Sequence, residues 1–371
     1  MQNRNKGLLT TLILLVTVIA FLLTWPVPIA PVAWQAPPNP GYTGVFAPNE
    51  RLAGVEMLPI GDNHGPEAVA LDTQGRIYAA TAEGRIVRLT ADGSHPENWA
   101  DTGGRPLGIV FDRQGKLLVA DAFRGLLQIT PDGQVRELAT EADGLPIRYA
   151  NALDVAADGK IYFSDSSTKF SARDYGGTYQ ASLLDIMEHG GHGRLLVYDP
   201  ATGRATTLLQ GLNFPNGVAL SPEQNYLLLV ETGMYRVLRY WLSGPRAGEV
   251  ELFIDALPGF PDNLNTGRDG RYWLALIAPR NPLLDQLADK PWLRKLVQRL
   301  PAVLRPQAKP YSHILALNGE GKVVLDLQDP AGRYPFTTSA IESAAYLYLG
   351  SLTAPAVGRL AKAPLGLAAL R

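Results

Sequence analysis

Two stretches of this chain repeat one pattern of apolar and polar positions. Residues 65–93 and 105–133 each start with an apolar run, pass through an Asp-x-x-Gly turn into a segment of alternating polarity, and reach an Asp-Gly dipeptide after a second alternating segment. Alternation with a period of two residues, bounded by such turns, is typical of antiparallel strands joined as hairpins. The pattern predicts compact units of β-sheet over this part of the chain.

The same plan recurs four more times, twice with an insertion. The later copies cover residues 151–167 with 193–203, 216–244, 262–277 with 312–321, and 340–360. The first positions of the six copies are 40, 44, 65, 46 and 78 residues apart, counted along Glu67, Leu107, Asn151, Asn216, Asp262 and Ala340. The two long gaps contain the insertions.

Without the insertions the period is roughly 40–50 residues, which is that of a four-stranded propeller blade. Six copies predict an all-β fold, a six-bladed β-propeller over residues 51–364. A strand near residues 52–60 is expected to complete the last blade. Two packed sandwiches fit less well, because one plan recurs six times.

The two insertions differ in character. Residues 282–304 place leucines on one face beside Lys290, Arg294, Lys295 and Arg299, and they predict the only helical stretch outside the N-terminus. Pro291 either splits this helix or begins a second one. Such a basic amphipathic helix packs over the propeller face or lies in a membrane interface. The first insertion contains a Gly-rich run around His189 and His192 and predicts a flexible loop at the channel mouth.

The N-terminus is predicted to cross a membrane. Residues 7–25 carry no charge, and nineteen helical residues span about 28 Å, close to the ~30 Å hydrocarbon core. Arg4 and Lys6 precede them, which favours a cytoplasmic N-terminus and a propeller on the periplasmic, luminal or extracellular side. The run is longer than the apolar part of a signal peptide and lacks a clean cleavage site, so a signal anchor is favoured over a cleaved signal.

The proposed layout has three parts besides the propeller. Residues 1–25 form a cytoplasmic tip and the transmembrane anchor, and residues 365–371 a short tail. Residues 26–50 are rich in proline and predict a stiff spacer that holds the domain off the bilayer.

Composition excludes several classes of function. The net charge of −1 argues against a nucleic-acid partner. With no cysteine, the chain has no disulfide, thiolate nucleophile or cysteine-bound zinc. It also lacks a G-x-S-x-G nucleophile elbow, a phosphate-binding loop and a dinucleotide fingerprint.

Four of the six units begin with a side chain that carries a hard oxygen. The inner strands of a propeller start around one mouth of the central channel, so these side chains are expected to meet there. Carboxylate and carboxamide oxygens suit Ca²⁺. Asn and Asp also form turns before strands, but four equivalent positions favour a shared metal site. The predicted ligands are Glu67, Asn151, Asn216, Asp262 and the neighbouring Asn263.

Several motifs of the chain resemble a known family. GRPLGIVFDRQGKLLVADAFRGLLQI, DGKIYFSDSSTKF, FPNGVALSP, PGFPDN, RYWLALI and LYLGS resemble the strictosidine synthase-like family of six-bladed propellers, over roughly residues 50–360. The adipocyte plasma membrane-associated branch is the most similar part of it. More distantly, the plan resembles paraoxonases and the gluconolactonase/senescence-marker group.

The resemblance implies a calcium ion on the propeller axis and, from several relatives, activity on esters or lactones. By motif, Glu67, Asn151, Asn216 and Asp262 occupy the metal-site positions, with Asn263 as a further ligand candidate. Plant strictosidine synthases instead use a glutamate of the last blade for a Pictet–Spengler condensation. Ser339 stands there in this chain, and Glu342 follows three positions later.

We therefore expect a calcium-dependent arylesterase or lactonase acting on an apolar or aromatic substrate. Calcium would polarise the carbonyl, and the candidate bases are Asp262, His64 and His192. His64 stands three residues before Glu67, and His192 in the first insertion. A binding or scaffold propeller with calcium as a structural plug, and a condensation that depends on Glu342, are the alternatives.

Overall fold

The computed structural model describes residues 2–367, so the end of the predicted tail, residues 368–371, lies outside the described residues, as does Met1. A single helix, α1 (Gln2–Thr24), precedes the sheet region. Its segment Asn5–Thr24 is long and apolar enough to cross a membrane, and none of it is buried against the rest of the chain. A one-turn helix at Gly44–Phe46 and strand β1 (Glu56–Pro59) follow.

Six four-stranded antiparallel sheets form the body. The first sheet is β2–β5 (Val69–Leu71, Ile77–Ala80, Arg85–Leu89, Glu97–Asp101), and the second is β6–β9 (Pro106–Phe111, Leu117–Asp121, Gly125–Ile129, Val135–Ala139). A short hairpin, β10–β11 (Glu141–Ala142, Leu145–Pro146), follows. The third sheet is β12–β15 (Ala150–Val155, Ile161–Asp165, Gly193–Asp199, Arg204–Leu212).

The next two sheets continue the series, and the last recruits the N-terminal strand. They are β16–β19 (Pro215–Leu220, Tyr226–Glu231, Arg236–Trp241, Val250–Ile254), β20–β23 (Gly259–Thr266, Tyr272–Pro279, Ser312–Leu317, Val323–Asp329) and β24–β26 (Thr337–Glu342, Tyr346–Ser351, Ala356–Ala361) with β1. The fold is the predicted six-bladed β-propeller. Strand β1 pairs with β26 inside the predicted range and closes the ring by joining the two ends of the chain.

The core lies between neighbouring blades. Trp273 of blade five, for example, is fully buried in one apolar cluster with Leu347 and Leu349 of blade six. Each blade is thus apolar on both faces, which explains why its inner strands read as nearly continuous apolar runs. The tight face-to-face packing fixes where each blade starts on the axis.

Both insertions join the second and third strands of a blade, and they emerge at the end of the propeller where the inner strands begin. In blade five the insertion folds as α3 (Pro282–Gln286), α4 (Pro291–Arg299) and a one-turn helix at Ala302–Leu304. Pro291 is the first residue of α4, so it begins a second helix. The remaining one-turn helices are Thr232–Met234, Arg268–Gly270 and Ala363–Leu365.

The structure corrects the prediction that residues 282–304 hold the only helix beyond the N-terminus. The insertion of blade three contains α2 (Thr178–Glu188), an eleven-residue helix, before the Gly-rich run. Its buried side includes Asp185 and Glu188 beside Ala181 and Met187. Two buried carboxylates on the inner face mask the amphipathic pattern by which a helix is recognised in sequence.

The first part of the proline-rich segment after α1 packs against the propeller domain. Residues 26–38 have no regular secondary structure, but they run across the two insertions. The amides of Val32 and Trp34 donate to the carbonyls of Glu188 and Ala288, at 2.9 and 3.1 Å. Ile29 is buried among the helices. We call residues 26–38 the strap, because they tie α1 to the end of the propeller that carries the insertions.

Candidate functional site

A cavity opens at the end of the axis where the inner strands begin. At its inner end lie four buried polar side chains from blades one, three, four and five, namely Glu67, Asn151, Asn216 and Asp262. The walls are apolar and include Leu107, Tyr149, Phe214, Phe260, Phe336 and Leu352. Helix α2 and the insertion of blade five form the outer rim through Tyr179, Leu183, Ile186, Leu284, Pro306 and Lys309. The structure thus brings together four of the residues singled out by the repeats.

The ladder of each sheet is interrupted where these polar residues stand. The pairing shifts register between Ala150 and Leu153, between Pro215 and Val218, and between Pro261 and Leu264. Residues inside such a bulge leave the ladder, and their side chains are re-aimed. Asn151, Asn216 and Asp262 each lie inside one of these bulges, which explains how strand residues present polar groups to the axis.

The two axial carboxamides have their donors engaged and their oxygens free. Asn151 Nδ2 donates to Ser166 Oγ at 3.0 Å, and Asn216 Nδ2 donates to the carboxylate of Asp262. Neither Oδ1 atom accepts a hydrogen bond from residues 2–367, although both are buried. A buried acceptor without a partner is costly, so it indicates a group that the protein chain itself does not supply.

The two carboxylates beside them are buried, which disfavours their ionised forms. Burial raises the pKa of Glu67, against the opposing effect of the Arg105 guanidinium. Burial, and then the nearby charge of Glu67, raise the pKa of Asp262 well above its ordinary value, against the hydrogen bond from Asn216. Positive charge at this position would favour both ionised forms.

These groups fit a hard divalent cation by the chemistry of their donors. Two carboxylates and two unpartnered amide oxygens are the kinds of ligand that Ca²⁺ takes. Over residues 2–367 no group of three or more His, Asp or Glu side chains is arranged to hold a metal ion, but this axial set has only two carboxylates and relies on amides for the rest. Asn263 differs from these four because it does not line the cavity, although it is buried beside Asp262.

The histidines proposed as bases do not line the cavity. The side chain of His64 is 63% exposed, and its Nδ1 lies 2.7 Å from Glu83 Oε1 on the surface. His192 Nε2 lies 2.6 Å from Glu188 Oε1 behind α2. Asp262 is therefore the one candidate base that the fold places at the inner end of the cavity.

Glu342 is also held away from the cavity. Its Oε1 lies 2.5 Å from Lys362 Nζ, and its Oε2 accepts from Trp273 Nε1 at 2.9 Å. These contacts hold the pKa of Glu342 below its ordinary value despite burial. Ser339, by contrast, lies at the axis and donates to the carbonyl of Glu67 at 3.0 Å. A Pictet–Spengler condensation that uses Glu342 of the last blade is therefore not supported, because this side chain does not line the cavity.

Sequence reasoning missed some of the cavity and misplaced other residues. Among the aromatic residues of the repeats and the first insertion, Tyr179, Phe214 and Phe260 line the cavity, whereas Tyr175 and Trp273 do not. Tyr149 was not singled out, yet it lines the cavity and donates to the carbonyl of Thr178 at 2.7 Å. The available signal was its position two residues before Asn151, which corresponds to Phe214 before Asn216.

Comparisons of the sequence with known proteins agree on one family. Residues 151–245 match the strictosidine synthase family, and residues 44–89 match the N-terminal part of strictosidine synthase-like proteins. Adipocyte plasma membrane-associated protein of Bos taurus is 37% identical over 362 residues, which cover 91% of this chain and 85% of the relative. Strictosidine synthase-like protein 13 of Arabidopsis thaliana is 36% identical over 303 residues, covering 72% and 73%.

Solved structures resemble the fold at low sequence identity. A gluconolactonase from Xanthomonas campestris has a TM-score of 0.61 at 18% identity, covering 90% of this chain and 98% of the other. Regucalcin from Agrobacterium tumefaciens, described as a calcium-binding protein, has a TM-score of 0.57 at 16% identity, covering 82% and 93%. At these identities the likeness establishes the propeller fold alone. The extent and identity of the sequence matches establish more, because they run across the repeats and the axial motifs: the chain belongs to the strictosidine synthase-like family, together with the adipocyte plasma membrane-associated proteins.

Proposed function

We propose that this chain is a membrane-anchored, calcium-dependent hydrolase of esters or lactones. The observation that carries the proposal is the pair of unpartnered amide oxygens, on Asn151 and Asn216, beside two buried carboxylates at the inner end of an apolar cavity. The likeness of the fold to a gluconolactonase adds support from a protein that acts on a lactone.

Glu67, Asn151, Asn216 and Asp262 would hold the ion, which when bound would act as a Lewis acid on a carbonyl oxygen. The chain's own contributions are separate. The aromatic and aliphatic walls bind the apolar part of the substrate and exclude bulk water. The carbonyl of the substrate would then lie at the polar inner end of the cavity, because the apolar part occupies the walls.

Asp262 is the proposed general base. Burial and the charge of Glu67 raise its pKa, and a cation held beside it would favour the ionised form, which can accept a proton from an attacking water. The hydrogen bond from Asn216 orients the carboxylate. Asp262 thus has two proposed roles, as ligand and as base, and they share one side chain.

The test uses the full chain in lipid nanodiscs with an aryl ester and a lactone. Wild-type protein should hydrolyse at least one of them, lose activity with a chelator and recover it with Ca²⁺. Asp262→Asn should reduce kcat/KM by about 10²–10³-fold and retain its thermal transition. Asp269→Asn, an exposed aspartate of the same blade, is the matched control and should keep full activity.

Two results would contradict the hydrolase. One is the absence of turnover of both substrates by well-folded protein in the presence of Ca²⁺. The other is turnover that Asp262→Asn leaves intact. Calcium that raises the melting temperature without any turnover would identify the structural plug instead.

The anchor completes the proposal. The relatives are named as plasma membrane-associated proteins, and α1 has the length and composition of a span. With Arg4 and Lys6 before it, we propose that the N-terminus is cytoplasmic and the propeller lies on the opposite side. Protease protection of tags at the two ends in sealed vesicles tests the orientation, which is wrong if the C-terminal tag is protected together with cytoplasmic markers.

A further inference from the structure

The insertion of blade five lies at the end of the membrane-spanning helix. Arg299, the last residue of α4, donates through Nε to the carbonyl of Trp25 at 2.5 Å and through Nη1 to that of Leu22 at 2.9 Å. These are carbonyls at the C-terminal end of α1, which has no basic residue of its own in its last turn. An arginine at this position donates hydrogen bonds to carbonyls that lack a partner within the helix, and its positive charge interacts favourably with the negative end of the helix dipole.

The same insertion exposes large apolar side chains. We call Leu283, Trp292, Val303 and Leu304 the rim patch; they are 42%, 62%, 81% and 63% exposed. Val303 and Leu304 stand only a few residues after Arg299, so this part of the patch follows directly on the contact with α1. Exposed apolar side chains grouped in one segment indicate an interaction surface rather than a core.

The charge of the insertion favours an anionic partner. Residues 282–309 contain six basic residues and two acidic ones. One of the acidic residues, Asp285, is already paired with Arg280 at 3.0 Å, and one of the basic residues, Arg294, is buried. Lys290 and Lys309 are exposed, and Lys295, Arg299 and Arg305 are half-buried. Apolar side chains among such basic residues are typical of segments that lie in the headgroup region of a bilayer.

The segment that carries the rim patch also forms the edge of the cavity. Pro282 and Leu284 line the cavity directly beside Leu283, and Pro306 and Lys309 line it shortly after Leu304. A surface seated on the bilayer here would put the cavity mouth against the lipid. A substrate that partitions into the membrane would then reach the apolar walls without crossing bulk water.

We propose that residues 282–305 rest in the headgroup region of the bilayer that α1 crosses, and that the cavity takes amphiphilic esters or lactones from that bilayer. The occupant of the rim patch is a lipid surface containing anionic headgroups, since the patch continues from the end of the anchor. The uptake of esters or lactones from the bilayer rests on the proposed hydrolase function. The position of residues 282–305 in the headgroup region, which we call the membrane seat, does not.

The first test places a fluorophore on the rim patch. Because the chain has no cysteine, Val303→Cys and Leu304→Cys each give the full-length protein a single labelling site. Val324→Cys is the matched control: Val324 is 56% exposed in the same blade, near the β22–β23 turn at the opposite end of the sheet.

Labelled proteins are reconstituted in vesicles of phosphatidylcholine and phosphatidylserine with or without brominated acyl chains. Brominated lipid should quench the label at 303 and 304 and leave the label at 324 unchanged. Equal quenching at all three positions, or none at 303 and 304, would overturn the membrane seat. If the fluorescence at position 303 changes with the protein-to-lipid ratio and not with bromination, the rim patch binds a second copy of the chain. This result would also overturn the membrane seat.

The second test separates the source of the substrate from the chemistry. The triple variant Trp292→Ser, Val303→Ser, Leu304→Ser alters no residue that lines the cavity. Against vesicle-embedded long-chain aryl ester its turnover should fall roughly tenfold, the loss expected for about 1.4 kcal/mol of apolar contact with the membrane. Against the soluble acetate ester of the same phenol it should match wild type.

An equal fall on both esters, or no fall on either, would overturn delivery from the bilayer. If wild-type protein turns over neither ester, the proposed hydrolase function and the proposed delivery of substrate from the bilayer fail together. The quenching experiment still decides the membrane seat in that case, so the two failures are distinguishable.

Discussion

The guanidinium of Arg105 lies 3.1 Å from Glu67 Oε2, so the protein itself places one positive charge beside the axial carboxylates. Arg105 starts blade two, where four other blades start with an oxygen-bearing side chain. It is 6% exposed, and Glu67 is 5% exposed. With Glu67 and Asp262 both ionised, one guanidinium leaves an excess of one negative charge in a desolvated place, and such an excess is unfavourable.

Replacing Arg105 tests how this charge is balanced. In the presence of a chelator, Arg105→Gln should lower the free energy of unfolding by about 3–5 kcal/mol, because Glu67 loses its buried partner. Ca²⁺ should then stabilise the variant more than wild type, since it would be the remaining positive charge at the axis. Thermal unfolding across a Ca²⁺ titration measures both effects.

The control for this experiment is Arg76→Gln, which breaks a surface pair with Asp72. Its response to Ca²⁺ should match that of wild type. If Ca²⁺ shifts the melting temperature of Arg105→Gln no more than that of wild type, Arg105 and the ion do not both balance the charge of the Glu67 carboxylate.

Gly217 of the Phe-Pro-Asn-Gly motif is predicted to serve packing and not chemistry. A Cβ atom there would lie 2.3 Å from Leu264 N and 2.8 Å from the carbonyl oxygen of Asp262, both in the backbone of the next blade. Gly217→Ala should therefore destabilise the protein by about 1–3 kcal/mol or more. Denaturation in urea measures the change.

Gly319→Ala is the matched control, because among the described residues beyond its two chain neighbours no heavy atom lies within 4 Å of the Cβ position of Gly319. The two variants should differ clearly in their unfolding midpoints. Equal midpoints would show that blades four and five have room to separate at the axis, contrary to the tight contact described here.

The repeats predicted the blades and the four axial residues because both depend on local pattern. Alternation and turn chemistry are encoded within about forty residues, and equivalent positions of a repeat come together on the axis. The side chains of Glu67 and Asp262 could be placed in this way without any knowledge of their contacts. The bulges that aim Asn151 and Asn216 leave no comparable signal, since they appear only when two strands are paired.

What escaped prediction depends on contacts distant in sequence. Helix α2 buries Glu188 because Lys169 Nζ, at 2.6 Å, and the amide of Ala30 bind its carboxylate. The strap is held by the carbonyls of residues more than 150 positions away. Proximity in sequence also misled for His64, which stands three residues from Glu67 and yet pairs with Glu83 on the surface.

The stability of the protein should fall as pH rises toward neutral, in part because of Asp185. Its Oδ2 accepts from Ser167 Oγ at 2.6 Å, while its Oδ1 is buried without a partner. Burial raises the pKa of Asp185 from 3.8 to about 7. The folded state thus keeps a proton that the unfolded chain loses near pH 4, so stability is lost as pH rises from about 4 to 7.

Asp185→Asn, which stays neutral, should flatten part of this decline and become more stable than wild type by a margin that grows with pH. Melting temperatures at pH 5, 6, 7 and 8 measure the margin. Buried Asp154, whose pKa is raised to about 6 by burial, contributes to a decline that remains in the variant, as do Glu67 and Asp262, whose pKa values burial also raises. Asp174→Asn, at an exposed position near the same helix, should leave the shape of the curve unchanged. A margin independent of pH would show that Asp185 is ionised throughout this range.

Arg294 joins three segments that surround the cavity mouth, and its loss should release the strap. Through Nη1 it donates to the carbonyls of Met187 and Glu188 at 3.0 and 3.4 Å, and through Nη2 to those of Val32 and Ala288. It therefore completes the C-terminal end of α2 while binding the strap and the end of α3. Arg294→Met would leave the carbonyls of Met187 and Val32 without this donor, each costing about 1–3 kcal/mol, whereas those of Glu188 and Ala288 keep the strap amides.

The expected result for Arg294→Met is a loss of about 3–5 kcal/mol, together with faster hydrogen exchange at the amides of Val32 and Trp34. These amides bond to Glu188 and Ala288, the segments that Arg294 holds. Amides of strand β17, in the core of blade four, should exchange as in wild type. Lys295→Met, the neighbouring half-buried cation on α4, should change neither quantity. If the strap amides stay protected in Arg294→Met, the strap is held by its own backbone bonds and Ile29, and Arg294 serves only to close the helix ends.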